Sequence, residues 1–414
     1  MKIFSKPFVW ILLLALVVRV AAAVYLGNTV SGLSGAQDEI TYSTLGIRAA
    51  TGHGFTFPTD WYPWIHANAP QSYFSMAMSI YLAIIYRIFG YVPLIARLIQ
   101  ALLGTAVVGL VTLLAQKIFG KTVAILTGCI ASLYAYLVFY SVTLTTETPF
   151  IFFLLASLYL AYEIHRETKT WKWVLLGLTL TGAVLFRMAV IFFVPFLLGW
   201  VIYTQRSKWR MALIPIALIL LGILPFTIRN YIEWHQFLLL ESQFGHVFWN
   251  GNHPDQHGDF RPLAVFPIPP SVLTSQNDAI ITNTLMKMGI ENVLKDPLDF
   301  ASLTLTRLRE FFKFWPSSDS NLTANVMRVV SFGVLWPFMV LGLIVTRKMW
   351  RDLLPLYLFC LLHTGVYAIS WTLIRYRIPL DIVLIPFAAF ALYELALKVK
   401  PIRKMAVQKG VLGD

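Results

Sequence analysis

Long apolar runs recur along this 414-residue chain, divided by short polar connectors. A run of roughly 20 residues is what a helix needs to cross the hydrocarbon core, whereas membrane barrels alternate with a period of two. The pattern predicts an all-α polytopic membrane protein of about ten transmembrane helices. They are placed at 8–26, 94–115, 122–142, 149–162, 171–186, 188–203, 209–226, 326–345, 353–371 and 378–397. The stretch 171–203 reads as two helices because Arg187 interrupts it and one helix that long, about 50 Å, overshoots a bilayer. The first apolar stretch has a signal-like start, with Ala21 to Ala23 as a cleavage site, but its length favours a retained helix.

"YFSMAMSIYLAIIYRIFG", residues 73–90, is apolar too, and charge decides how to read it. If it does not cross, Lys2, Lys6 and the basic connectors at 117–121, 166–172, 206–210, 347–351 and from Lys398 all share one side. Together they hold 18 of the 33 basic residues, against three in the opposing short turns. Basic short loops mark the cytoplasmic side. Residues 73–90 are therefore re-entrant or interfacial, and both chain ends are cytoplasmic. Two large extracytoplasmic loops follow, 27–93 and 227–325, and fourteen of the twenty acidic residues fall outside. The organisation expected is an N-terminal catalytic module (1–226), a large loop with amphipathic helices (227–325), and C-terminal transmembrane helices with a basic tail (326–414). In the large loop Arg307, Arg309 and Lys313 alternate with apolar residues, as in a helix lying on lipid headgroups.

Composition adds little beyond this. Hydrophobic residues make up 58% and charged residues 13%. The net charge of +13 belongs to the cytoplasmic loops and not to a nucleic-acid surface. Cys129 and Cys360 sit in apolar runs and suggest no disulfide framework.

Candidate chemistry lies outside. Asp38 and Glu39 precede a short helix. They read either as an N-terminal cap or as a general base able to take a proton from an acceptor hydroxyl. Glu147, in "LTTETPF", is likewise a cap or a second site acid. Arg187, Arg375 and Arg377 stand at external helix ends. Either they reach for headgroups or they clamp a phosphate, which guanidinium groups bind in a bidentate way. His66 and His253 are further loop candidates. His253, Asp255, His257 and Asp259 match no strong metal signature, and a divalent metal is left open. Arg19, inside the first helix, requires a partner.

Taken in order, several stretches together resemble one family. These are the acid pair with "YSTLGIRAATGHGF", then "LTTETPFIFFLLASLYL", "FRMAVIFFVPFLL", "GNHP" and "RYRIPLDIVLIPFAAFAL". The pattern resembles membrane glycosyltransferases of the GT-C fold, in the branch of the dolichyl-phosphate-mannose protein mannosyltransferases and the aminoarabinose transferase of lipid A. The resemblance implies inverting transfer of a sugar from a polyprenyl-phosphate donor to an extracytoplasmic acceptor, a lipid, glycan or protein, at the outer leaflet of the inner membrane. It places Asp38, with Glu39 beside it, at the reaction centre. Glu147 becomes a second acid, Arg187 a donor-phosphate contact, and Arg375 and Arg377 further ones. The Glu-Lys pair of the aminoarabinose branch is missing; His66 and Gln71 stand in "WIHANAPQSYF" instead. The rival reading is a polyprenyl-lipid or glycolipid flippase, for which Arg19, His363 and Asp381 are the intramembrane ionisable residues to explain.

Overall fold

The computed structural model describes residues 6–32, 38–261, 265–318 and 320–398. Among them the chain is helical, with two isolated bridges in place of strands. The first half comprises α1 (Lys6–Leu26), α2 (Asp38–Ala50), α3 (Met76–Phe89), α4 (Pro93–Phe119), α5 (Lys121–Leu133), α6 (Ala135–Tyr140), α7 (Glu147–Arg166), α8 (Thr170–Phe186), α9 (Val194–Thr204) and α10 (Leu213–Trp234). The second half comprises α11 (Gln243–Gly251), α12 (Pro270–Leu273), α13 (Asp278–Lys295), α14 (Pro297–Phe311), α15 (Leu322–Met327), α16 (Val334–Val345), α17 (Trp350–Ile369) and α18 (Ile378–Leu397).

Among the described residues six helical stretches are long and apolar enough to cross a membrane. One of them, Leu322–Ile369, has 48 residues and is divided by a tight turn at Thr346–Met349, so it contains two of the expected spans. Seven expected spans thus fall in these stretches. The other three, at Lys121–Leu133, Thr170–Phe186 and Met188–Thr204, are shorter apolar helices. α18 is the central helix: every residue from Ile378 to Ala389 is buried, and all but Asp381 are apolar. α10 lies at the periphery, with Leu220, Leu221 and Ile232 more than 60% exposed.

The 73–90 stretch forms only the 14-residue α3, paired with α2. The pair closes on Gly46, where any Cβ would lie 2.7 Å from that of Leu82. Tyr42, Leu45, Met78, Leu82, Ile85 and Tyr86 form its core. Ile84, Ile88 and Phe89 face outward. An amphipathic pair of this kind suits an interface.

Arg19 finds its partners in a broken helix. α5 stops where Tyr134 turns extended (φ −63°, ψ 110°) and frees the last carbonyls of α5. The fully buried Arg19 donates to the carbonyls of Ser132 (3.2 Å), Ala131 (3.3 Å) and Ala15 (3.1 Å). Gly104 makes the room, since a Cβ there would meet the Arg19 Nε at 3.0 Å.

α14 departs from the expected lipid-resting helix. Arg307 is fully buried and turned inward. It donates to Ala368 O (3.0 Å), Asn252 Oδ1 (2.8 Å) and Gly251 O. It therefore fastens the 227–325 segment to the end of α17. Leu298 and Leu305 hold the outer face. The spacing had placed Arg307 among lipid-facing cations, but carbonyls left open at Gly251 and Ala368 claim it.

Candidate active site

Four side chains from four separate elements meet. Asp38 opens α2, Glu147 opens α7, Arg187 stands at the extended residue that ends α8, and Arg375 lies on the tight turn Ile374–Arg377. Arg375 Nη2 is 2.7 Å from Asp38 Oδ2, and its Nε is 4.0 Å from Glu147 Oε1. Arg187 Nη2 bonds the same Glu147 oxygen at 2.8 Å. Two acids and two cations thus form a continuous chain, Asp38–Arg375–Glu147–Arg187. Burial is graded along it: the side chain of Glu147 is 1% exposed, those of Arg187 and Arg375 11–12%, and that of Asp38 29%. Asp38 is the accessible end.

Aromatic rings hold the cations in place. Tyr376 lies under both guanidinium groups, 5.1 Å from that of Arg187 and 5.3 Å from that of Arg375. It stacks on Tyr367 (4.7 Å), whose hydroxyl accepts from Arg187 Nη1 at 3.1 Å. His363, within α17, fixes the Tyr376 carbonyl at 2.8 Å. The Nε of Arg375 is buried without a hydrogen-bond partner. It is a donor within the cluster that an incoming anion can use.

The remaining candidates go elsewhere. Glu39 is fully buried against Arg97, 2.5 Å away. Arg97 also binds the carbonyls of Gly27, Thr29 and Val142. The pair therefore pins the start of this segment, and burial pushes the Glu39 carboxyl up to about 7 against the pull of Arg97. Arg377 is fully buried too. It pairs with Asp381 (3.1 Å), donates to Phe311 O (2.8 Å) and packs on Phe332. Both residues sit beside a cluster member in sequence and outside the cluster in space. His66 stands on the surface 3.9 Å from Asp60. His253 stacks on Phe266 at 4.0 Å and accepts from the Asp255 N–H.

Among the described residues no three His, Cys, Asp or Glu side chains gather closely enough to hold a metal. Asp38 and Glu147 are joined by Arg375 and do not face each other across a gap, and Asp259 is drawn to Arg261. The described residues form no divalent-cation site.

Two cavities lie away from the cluster. One, of about 200 Å³, is bounded by Asn252, His257, Asn292, Lys295, Asp299 and neighbours. The other, of about 10 Å³, is beside Arg19. Residues absent from the candidate set also reach the cluster: Tyr367, Tyr376 and Thr146 (3.3 Å from Arg187). Tyr376 could have been read from its place between two arginines.

Residues 75–229 match the family model described as dolichyl-phosphate-mannose-protein mannosyltransferase. This stretch includes Glu147 and Arg187, while Asp38 and Arg375 lie outside it. A search of curated proteins finds no match. The apo oligosaccharyltransferase of Archaeoglobus fulgidus superposes with a TM-score of 0.62 at 16% identity, covering 100% of this chain and 53% of that one. The chain has the GT-C glycosyltransferase fold. The same fold is seen in Archaeoglobus fulgidus AglB solved with an inhibitory peptide and a dolichol-phosphate. There the TM-score is 0.59 at 15% identity, over 99% of this chain and 53% of that one. The GT-C chain described here thus spans about half the length of these relatives. ArnT from Cupriavidus metallidurans also matches, at a TM-score of 0.42 and 16% identity over 96% of this chain and 80% of that one, and adds nothing to the argument. The fold and the six apolar stretches make this a multi-pass membrane protein.

Proposed function

We propose that the chain transfers a sugar from a polyprenyl-phosphate donor to an acceptor hydroxyl, with inversion at the anomeric carbon. The observation that carries this reading is the convergence of Asp38, Glu147, Arg187 and Arg375 from distant parts of the chain. Asp38, the accessible end, takes the acceptor proton as the new glycosidic bond forms on the face opposite the departing oxygen. The bond from the anomeric carbon to the phosphate oxygen breaks, and its electron pair leaves with the lipid phosphate. Arg187 and Arg375 stabilise that charge, so a separate strong acid is not required. A glycosidase's paired acid and nucleophile is likewise unnecessary. Glu147 keeps the two cations in register between turnovers. Tyr376 spaces them.

The ionisable residues that would have pointed to transport have internal partners. Arg19 caps the end of α5, His363 fixes the Tyr376 carbonyl, and Asp381 accepts from Tyr134 (2.6 Å) and pairs with Arg377. Membranes bearing the protein, supplied with a labelled polyprenyl-phosphate sugar, are expected to release lipid phosphate when acceptor is present. Intact donor that only crosses the bilayer would overturn the reading in favour of a flippase.

The site is assigned to the extracytoplasmic face of the inner membrane and the C-terminus to the cytoplasm, on the strength of the basic connectors. A cysteine in place of Thr51, at the exposed end of α2, is expected to react with an impermeant reagent from outside, and one in place of Thr168 is not. Labelling of both from one side would reverse the assignment.

A further inference from the structure

Arg375 is carried by a stretch with little regular structure of its own. α17 ends at Ile369, residues 370–373 are irregular, and the tight turn Ile374–Arg377 follows. No helix or sheet ladder places such a backbone, so its tertiary contacts do. Many of those contacts come from the 227–325 segment. Asn252 Nδ2 donates to Ile369 O at 3.1 Å, and Arg307 Nη1 donates to Ala368 O at 3.0 Å. Gly251 lies against Ser370 O with no room for a Cβ. Phe260 lies 5.2 Å from the Arg307 guanidinium and meets Trp371 edge-on at 5.2 Å. Beyond Arg375, Arg377 donates to Phe311 O (2.8 Å) and Lys313 O (3.2 Å). α17 itself adds only His363, through the Tyr376 carbonyl.

We propose that Asn252 and Arg307 are positioning residues: they latch the 227–325 segment onto the chain that carries Arg375 and hold that guanidinium where a donor phosphate meets it. The proposal rests on the glycosyl-transfer reading above. Asn252 belongs to the "GNHP" stretch, which lies outside the charged cluster. Both amide hydrogens of its side chain are used, one on Phe248 O (2.9 Å) and one on Ile369 O. Its side-chain carbonyl accepts from Arg307 Nη2 at 2.8 Å, and its backbone carbonyl accepts from Asn292 Nδ2 at 3.1 Å. α11, α13, α14 and α17 therefore meet at this one residue. Asn252 is 4% exposed and Arg307 0%. Polar groups buried this deeply resist displacement, because any one left unpaired costs its full desolvation penalty.

A clamp needs such fixing. Arg375 stands 2.7 Å from Asp38 and 4.0 Å from Glu147, with its buried Nε unpaired. That N–H serves a phosphate only while the turn keeps its place, since a displacement of about 1 Å can cost about 10²-fold. Asn252 and Arg307 act on it through the backbone from Ala368 to Ser370, and two variants loosen that hold. Asn252→Asp keeps the shape and the acceptor for Arg307 but removes the N–H donors to Phe248 O and Ile369 O. Arg307→Lys keeps the charge but puts one nitrogen where Nη1 and Nη2 reach separate partners.

Two measurements on the full chain in detergent test the latch. In hydrogen exchange, a peptide covering 370–377 is expected to exchange faster in Asn252→Asp and Arg307→Lys, while α7 exchanges as in the wild type. In binding, the probe is a polyprenyl phosphate without sugar, which needs no acceptor. Arg375→Ala is expected to weaken its binding about 10- to 100-fold, the loss of a charge-assisted contact, and either latch variant about three- to tenfold. Both losses pass through one guanidinium, so a latch variant in the Arg375→Ala background is expected to cost nothing further. A structural defect unrelated to Arg375 would add its penalty in both backgrounds, and that result overturns the proposal. Unchanged exchange at 370–377 in the two folded variants overturns it equally. Failure of the wild type to bind the probe would instead bring down the lipid-phosphate reading itself, leaving the latch to be judged by exchange alone.

Discussion

Asp38→Asn is expected to lower kcat by about 10²- to 10⁴-fold, the range a positioned general base supplies, without raising the donor KM. Asn keeps the shape and one oxygen for the Arg375 contact at 2.7 Å but cannot take a proton at neutral pH. Loss of the negative charge also frees Arg375 for the donor phosphate, so donor binding stays level or tightens. An interaction used only in the transition state lowers kcat and kcat/KM together, and that is the signature to look for. The measurement is steady-state transfer with donor and acceptor varied in turn, on protein whose folding is verified by thermal unfolding in detergent. A folded Asp38→Asn variant turning over at the wild-type rate would remove Asp38 from the chemistry.

The second large effect is expected at Arg187, and it has two components. As a donor facing the leaving phosphate, its loss in Arg187→Ala lowers kcat/KM for the donor by about 10²- to 10³-fold. The same change strips the 1%-exposed Glu147 of its 2.8 Å partner, leaving Arg375 at 4.0 Å. Breaking a buried pair from one side typically costs about 3–5 kcal/mol. The double variant Arg187→Ala with Glu147→Gln separates the two. Removing the stranded charge is expected to restore much of the Tm while activity stays low. Recovery of both would mean that Arg187 only neutralises Glu147 and does not touch the donor.

Glu39 and Arg377 show where the sequence was ambiguous. Adjacent helical residues point about 100° apart, so Asp38 and Glu39 cannot both face one centre. The sequence offers the pair; packing chooses Asp38 for the cluster and gives Glu39 to Arg97. Arg375 and Arg377 are two apart on a tight turn and diverge for the same reason, one toward Asp38 and the other toward Asp381. Arg307 reads as a surface cation in a one-dimensional pattern because the carbonyls that take it, Gly251 and Ala368, are contributed by other elements.

What the chain determines locally was therefore legible: apolar runs long enough to cross lipid and the uneven spread of basic residues among the connectors. These features depend on the transfer of individual segments between water and hydrocarbon, and each segment carries its own answer. The partners of charges do not. Which carboxylate Arg375 meets and how Tyr376 comes to lie beneath two guanidinium groups both depend on helices separated by a hundred or more positions coming together. Tertiary packing decided them, because a charge removed from water must find its counterpart wherever the fold supplies one.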